Sequence, residues 1–315
     1  MSSDPVLSIV IVNWNTRELL LALLGRLFAT PALPCEVLVV DNDSSDGSAD
    51  AARKAFPAAT VLPQPRNGGF AYGVNRGLER ARGRWILLLN TDAGADWPEL
   101  ARFVAAAERE PDAAVFGPRI VDERGVRQRS TWRRHLVRDH LPQALFLGRL
   151  VADREPEAAA DVDCVSGCVF LIRASVLAGV GGFDERFFMY FEEADFCERV
   201  RQGGHRVRWL PDASFVHAGG LSAQQSAVRT FVAFRESCLL YHAAWHGRLA
   251  TEWVRACLCL GMVLRLVAWC LLALLGRPHR VRLYAAGLRA LATPSCVARL
   301  CARPRQVPRL PAPVT

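Results

Sequence analysis

Leu7–Val12 (LSIVIV) is an unbroken apolar, β-branched run, the pattern of a strand buried on both faces. Asn13-Trp14-Asn15-Thr16 follows it. Behind Thr16, Leu19, Leu20, Leu23, Leu24 and Leu27 recur at helical spacing, which predicts a helix capped by that threonine. Glu36–Val40 reads as a second strand, ending in a polar loop from Asp41 to Ser48 that caps a short helix to about Ala55. Thr60–Leu62 is a weak strand, Phe70–Arg82 a helix, and Trp85–Leu89 (WILLL) a buried strand ending at Asn90-Thr91-Asp92. A helix over Pro98–Glu110 and a strand at Ala114–Phe116 continue the series, and Val207–Leu210 and Ala213–Val216 are strand-like. This alternation predicts an α/β fold, a mostly parallel sheet flanked by helices and joined by right-handed crossovers. Ligands of such sheets bind beyond the carboxyl ends of the strands. The polar residues after Val12, Val40 and Leu89 therefore share one rim.

Composition narrows the picture. The 315 residues are 51% hydrophobic and 22% charged, which excludes a disordered tail, a collagen-like fibre and a disulfide miniprotein. The net charge of +8 is unevenly placed. From His246 onward eleven arginines face one acid, Glu252, whereas the first 245 residues are close to neutral. The excess thus belongs to a C-terminal appendage and gives no ground for a nucleic-acid partner. The ten cysteines form no C-x-x-C pair and no zinc-finger spacing, and Met1–Pro5 lacks the pattern of a signal peptide. A reduced, cytosolic setting is expected, with the cysteines acting as small apolar side chains.

The chemistry must come from the rim. No G-x-x-x-x-G-K-[ST] occurs and no G-x-G-x-x-G follows the first strand, so a P-loop enzyme or a dinucleotide-binding dehydrogenase is disfavoured. Asp92, two positions after Asn90, either holds a hard divalent cation or caps the next helix. Four glycines between Gly68 and Gly77 lead into a helix and serve either close approach to a ligand or tight packing. In Gly182–Asp195 an aromatic cluster runs into Glu192, Glu193 and Asp195. Carboxylates beside apolar rings have raised pKa values and suit general-base work, although acids in a first helical turn also complement the macrodipole. His217 ends the strand-like run after them and is either a ligand or a structural hydrogen-bonder.

Taken in order, LSIVIVNWN, VVDN-SSDGS, RNGGFAYGVNRGL, LLLNTD, SGCVFLIR, GGFDERFFMYFEEADFCER and VHAGG resemble the family 2 glycosyltransferases of GT-A fold, and among them the bacterial rhamnosyltransferase-like branch. The resemblance spans about Leu7 to Gly220. It implies a nucleoside-diphosphate-sugar donor and a divalent metal, Mg2+ or Mn2+. Trp14 would stack on the base and Asp41 would hydrogen-bond it. Asn90-Thr91-Asp92 matches the family's D-x-D-like motif, so Asp92 would be the metal ligand and Asn90 a ribose contact. Asn15, Asn67, Gly69, Asn75 and Thr91 stand in the matching motifs and are expected in the donor site. Glu192-Glu193 matches the family's E-D pair, which makes Glu193 the base of an inverting transfer, with Glu192 or Asp195 in reserve. His217 matches a histidine that completes the metal site.

Two units are expected: a catalytic domain over residues 1–245 and a helical basic appendage over 246–315. Ala256–Leu275 is long enough to span a bilayer, but Arg265 sits mid-way, and a single span would export an arginine-rich tail against the positive-inside rule. A peripheral or monotopic element on the cytoplasmic face of the cell membrane satisfies both points; a helix packed on the domain is the alternative. A lipid-linked or cell-envelope glycan acceptor follows from that attachment. A sugar nucleotidyltransferase or a catalytically silent membrane-bound scaffold are the competing readings, and the first would want a basic Gly-rich loop where this chain has Asn-Trp-Asn.

Overall fold

The structure, a computed structural model, describes residues 4–219, 227–273, 281–293 and 296–310. Gly220, the last two residues of the 256–275 segment, Arg277 and Arg280 lie outside the described residues. Strands β1 (Leu7–Asn13), β2 (Cys35–Asp41), β3 (Thr60–Pro63) and β4 (Trp85–Leu89) alternate with helices α1 (Arg17–Ala29), α2 (Ser48–Ala55) and α3 (Phe70–Leu78). They pair in parallel, in the spatial order β3-β2-β1-β4. Side chains of β1 divide between the two faces with period two, as a pleated strand requires. Leu7, Ile9 and Ile11 join the core under α1, whereas Val10 joins the core under α3. Thr16 precedes α1 but its side chain does not cap it. Asp46 of the neighbouring loop accepts the bond from Arg17 N–H instead, at 2.9 Å.

Short strand β5 (Ala93–Gly94), helix α4 (Trp97–Glu108) and strand β6 (Ala113–Val121) continue the chain. Beyond β6 come the two-residue strands β7 (Arg127–Gln128), β8 (Thr131–Trp132), β9 (Ala160–Asp161) and β10 (Cys164–Val165), with helix α5 (His140–Ala144) among them. Strand β11 (Val169–Arg173) then inserts antiparallel between β4 and β6. Helices α6 (Leu177–Val180) and α7 (Glu192–Gln202) lead to β12 (Arg206–His217), which lies parallel to β6. The two strand-like runs expected here are one strand whose register slips between Leu210 and Ser214. Pro211 falls in that gap and has no N–H to give to the ladder. Because β12 runs the same way as β4, its end at His217 arrives on the rim that carries Asn90–Asp92.

Helices α8 (Ala227–Trp245), α9 (Gly247–Ala273), α10 (Val281–Leu291) and α11 (Cys296–Ala302) follow. The chain then returns in extended form across the loop before α7. Gly182 N–H donates to Pro308 O at 2.9 Å, Glu185 N–H donates to Gln306 O at 3.0 Å, and Leu310 is buried. All ten cysteines are free thiols. Among the described residues, Gly247–Leu271 is the one helix long and apolar enough to cross a bilayer, with a mean hydropathy of 1.9. Arg265, near its middle, faces protein: its guanidinium donates to Gln143 O at 3.0 Å and to Ala144 O at 3.3 Å, and stacks 4.4 Å from the Phe146 ring. On the same helix Leu260, Val263, Val267 and Leu271 remain exposed.

Candidate active site

A cavity of about 430 Å3 opens on the carboxyl rim of the sheet. It is bounded by the ends of β1, β4 and β12, the start of β11, the loop before α7, and the first turns of α3 and α8. Trp14, Asn67, Gly69, Asn90, Thr91, Asp92, Glu192, Glu193 and His217 all line it. These residues come from five separate sequence motifs, and the sheet order collects them.

The Asn90-Thr91-Asp92 turn is held by main-chain bonds on both sides. Asn90 N–H donates to Cys168 O of the segment entering β11, and Ala218 N–H donates to Asp92 O. The β5–β12 pairing sets His217 opposite Ala93, so its ring meets the neighbouring Asp92 carboxylate, Nε2 to Oδ1 at 3.4 Å. Gln128 Nε2 donates to the His217 carbonyl at 2.9 Å, and its Oε1 lies 3.4 Å from His217 Nδ1. His217 Nε2 is buried and has no hydrogen-bond partner. A buried imidazole nitrogen left bare beside a carboxylate oxygen fits two ligands of one ion, which sit about 3 Å apart on an octahedral centre. The residues present therefore fit a divalent metal.

The loop before α7 carries the acids. Tyr190 (φ 70°) and Phe191 (φ 67°) both adopt left-handed backbone, a strain of about 1–3 kcal/mol each that surrounding contacts must hold. Those contacts are visible: Phe70 N–H donates to Phe188 O at 2.8 Å and Ser237 Oγ donates to Met189 O at 2.9 Å. Gly69 (φ 93°) makes the first of them feasible, since a Cβ there would overlap the Phe188 carbonyl. The sharp turn delivers Glu192 and Glu193 to the start of α7, where each Oε2 is buried without a hydrogen-bond partner. Burial lifts Glu193 to about 7, against opposing main-chain N–H bonds. Burial and the adjacent Glu193 charge hold Glu192 well above the usual carboxylate range. Glu193 is thus a group poised to exchange a proton near neutrality.

Four of the expected site residues are not on the cavity wall. Asp195, one turn into α7, points the other way and is fully buried against Arg199, Trp245 and Arg305. Asn75 uses its amide to tie α3 to the loop before α7, giving a bond to Phe183 O at 2.8 Å and taking one from Phe183 N–H at 2.8 Å. Asp41 accepts from Asn13 Nδ2 at 2.8 Å and from Ser44 N–H at 3.1 Å, and Asn15 Oδ1 accepts from Ser45 N–H at 2.8 Å. These two shape the strand-end loops. Gly77 likewise serves packing, because a Cβ there would overlap Val10 Cγ1. Residues not singled out from sequence also line the cavity. Asn42 is buried and gives its amide to Gly69 O at 2.9 Å, yet its Oδ1 has no partner. The His135 ring lies tilted 4.5 Å from that of Phe191, and Arg229 and Phe234 arrive from α8. Asn42 adjoins Asp41 in the motif at the end of β2 and was open to detection there; the others reach the site only through the fold.

Residues 8–179 match the family described as Glycosyl transferase family 2. The chain belongs to that family. It is a glycosyltransferase of GT-A type, similar to the rhamnosyltransferase-like branch. It is 28% identical over 262 residues to the N-acetylglucosaminyl-diphospho-decaprenol L-rhamnosyltransferase of Mycobacterium tuberculosis, covering 77% of this chain and 85% of the relative. A low-salt glycan biosynthesis hexosyltransferase, Agl10, of Haloferax volcanii is 28% identical over 203 residues, covering 62% of each chain. The fold resembles that of a mannosyltransferase from Pyrobaculum calidifontis solved with GDP-Man and Mn2+, at a TM-score of 0.53 and 18% identity, covering 92% of this chain and 87% of that one.

Proposed function

We propose that this glycosyltransferase catalyses inverting transfer of a deoxyhexose, rhamnose first, from a nucleoside-diphosphate donor to a hydroxyl of a lipid-linked glycan. The observation that carries the reading is Glu193: a carboxylate poised near neutrality, its Oε2 buried and unpartnered, in the same cavity as Asp92 and His217. An inverting displacement needs one base and no enzyme nucleophile, and Glu193 supplies that base by taking the acceptor hydroxyl proton on Oε2. Trp14 offers an aromatic face to the donor base, and Asn42 and Asn90 offer polar atoms to the nucleoside. Asp92 and His217 are the residues that would hold Mg2+ or Mn2+. Bound there, such an ion offsets the negative charge of the departing nucleoside diphosphate.

The acceptor side favours a lipid diphosphate. A groove of about 820 Å3 shares Phe188, Arg229 and Ala233 with the donor cavity. Its wall joins apolar Val228, Val232 and Leu300 to Arg299 and Arg303, a match for an acyl or prenyl chain with an anionic head. The mycobacterial relative is named for a decaprenol-linked diphosphate acceptor. Membrane attachment in a monotopic manner, on the face where nucleotide sugars are made, is supported by the exposed apolar side of α9 beside exposed Leu145, Phe146, Leu147 and Leu150. Arg265 bonds to protein carbonyls and so does not oppose shallow insertion.

Calorimetric titration with dTDP, UDP and GDP, each with Mn2+ or Mg2+ and again with EDTA, tests the reading. One nucleotide is expected to bind only with metal, and Asp92→Asn is expected to abolish that binding. Failure of all three nucleotides under every condition would overturn the donor site. Retained anomeric configuration in the product, read by NMR, would overturn the inverting course.

A further inference from the structure

Behind the aromatic wall formed by Phe191 and Tyr241 lies a second group of metal-ligating side chains that the transfer chemistry does not use. Cys238 and His242 are one turn apart on the same face of α8, and His140 opens α5 directly opposite them. All three are buried, His242 completely. One donor atom from each lies within 4.8 Å of the others. The two imidazoles meet Nε2 to Nε2 at 2.8 Å, and each Nδ1 is buried without a partner. Burial holds both rings neutral, His140 at about 4 and His242 at about 2, with neighbouring histidines adding to the shift of His242. Neutral imidazole is the ligating form. His246, a further turn along the helix, hydrogen-bonds the His135 main chain through its ring and leaves Nε2 buried and unpartnered, 5.1 Å from His242 between ring centroids. A ring nitrogen fixed by a carbonyl is the usual support for a ligand on the other nitrogen.

We propose that His140, Cys238 and His242, with His246 as the fourth candidate, form a structural site for a zinc-type divalent ion, distinct from the donor site. A thiolate and imidazoles select zinc over magnesium or manganese, whereas the Asp92–His217 pair suits harder ions. Donor atoms around tetrahedral zinc are about 3.3–3.6 Å apart. The imidazole nitrogens must therefore open slightly and the widest pair must close by about 1 Å, which side-chain rotation supplies. The ion forms a bond to Cys238 Sγ as the S–H bond breaks and one proton is released. The consequence is mechanical. The ion would clamp α5 to α8, and with them His135 and Arg229, which both line the donor cavity.

The test uses the full chain, stripped with chelator and titrated with Co2+, whose bond to a thiolate gives a near-ultraviolet charge-transfer band. One equivalent of Co2+ is expected to produce the band in wild type and in Asp92→Asn, and Zn2+ to displace it. Cys238→Ser is expected to lose the band, and His242→Gln to weaken Co2+ binding at least tenfold. Should Cys238→Ser not fold, Zn2+ must still raise the unfolding midpoint of Asp92→Asn. A folded wild type that shows no thiolate band at saturating Co2+, or a band that survives Cys238→Ser, overturns the proposal. Because Asp92→Asn disables the donor site alone, this result is independent of nucleotide binding.

Discussion

Trp245 donates its indole N–H to Asp195 Oδ1 at 2.9 Å, joining the end of α8 to the first turn of α7. Arg305 reaches the same oxygen at 3.1 Å while stacking 4.3 Å from the Trp245 ring, and Arg199 takes the other oxygen at 2.9 Å. One fully buried carboxylate thus ties three parts of the chain together. Removing it leaves the Arg199 and Arg305 guanidiniums without their shared carboxylate. Asp195→Ala is expected to cost about 3–5 kcal/mol in urea unfolding. Nucleotide affinity of the folded fraction should change by less than about twofold, since Asp195 does not touch the cavity; a large loss of affinity would return it to the site.

Glu193→Gln keeps the shape of the side chain and removes its basicity. Turnover is expected to fall by about 10²–10⁴-fold, with the donor nucleotide binding as before in calorimetry. Turnover close to wild type would move the base to Glu192.

The pH dependence follows from the same group. Glu193 must be ionised to take a proton and its carboxyl is pushed up to about 7, so kcat/KM should fall as pH drops through about 7. The effect on stability has the opposite sense. An acid with a raised folded pKa binds more protons when folded, so its contribution weakens from its ordinary value of 4.5 up to about 7 and is flat above. Burial and the Glu193 charge raise Glu192 as well, so it contributes in the same sense. Glu192→Gln should therefore raise the melting temperature at pH 8 more than at pH 5, which a pair of thermal scans checks.

Gly69→Ala places a Cβ on the Phe188 carbonyl at a backbone φ of 93°. The expected loss is about 2–4 kcal/mol of stability, together with a raised KM for the donor, because the displaced loop carries Glu192 and Glu193. A variant with wild-type stability and KM would mean that the 188 loop relaxes freely.

Phe146 and Leu150 are 60% and 78% exposed beside the stacked Arg265. Replacing both with Ser should leave the unfolding midpoint nearly unchanged and markedly reduce co-sedimentation with anionic vesicles. Unchanged co-sedimentation would remove this loop from the membrane surface.

Strand–helix alternation was readable up to α4 because each element there carries its own period: both-face burial in β1, a leucine stripe in α1. Boundaries drifted where tertiary contacts decide them. Helix α3 stops at Leu78, short of Arg82, and β6 extends to Val121 because β12 pairs along its length. The antiparallel insertion of β11 leaves no trace in its composition, since a strand buried among others looks alike in either direction. The motifs at the rim yielded Trp14, Asp92, Glu193 and His217 as neighbours in one cavity. Asn75 and Asp195, expected in the site, lie off the cavity wall for a common reason: each shares a helix with residues that face the cavity, and the opposite helix face meets Phe183 or Trp245. His135 and Arg229 could not be found from sequence, as nothing local marks which residue of α8 or of the β8–α5 connection will face the donor.

The extended return of the chain also sets an order of assembly. Asp184, in the loop that leads to Glu192 and Glu193, accepts a bond from Gln306 N–H, a residue 122 positions further along the chain. On a ribosome the sheet, the Asn90–Asp92 turn and α7 all emerge before that partner exists. The Phe70 and Ser237 contacts that hold the loop's left-handed residues can form earlier, but the loop gains its bonds to Gln306 and Pro308 only once those residues are made. Nascent chains stalled short of that point would have a formed sheet and an acid loop still lacking its bonds to Gln306 and Pro308.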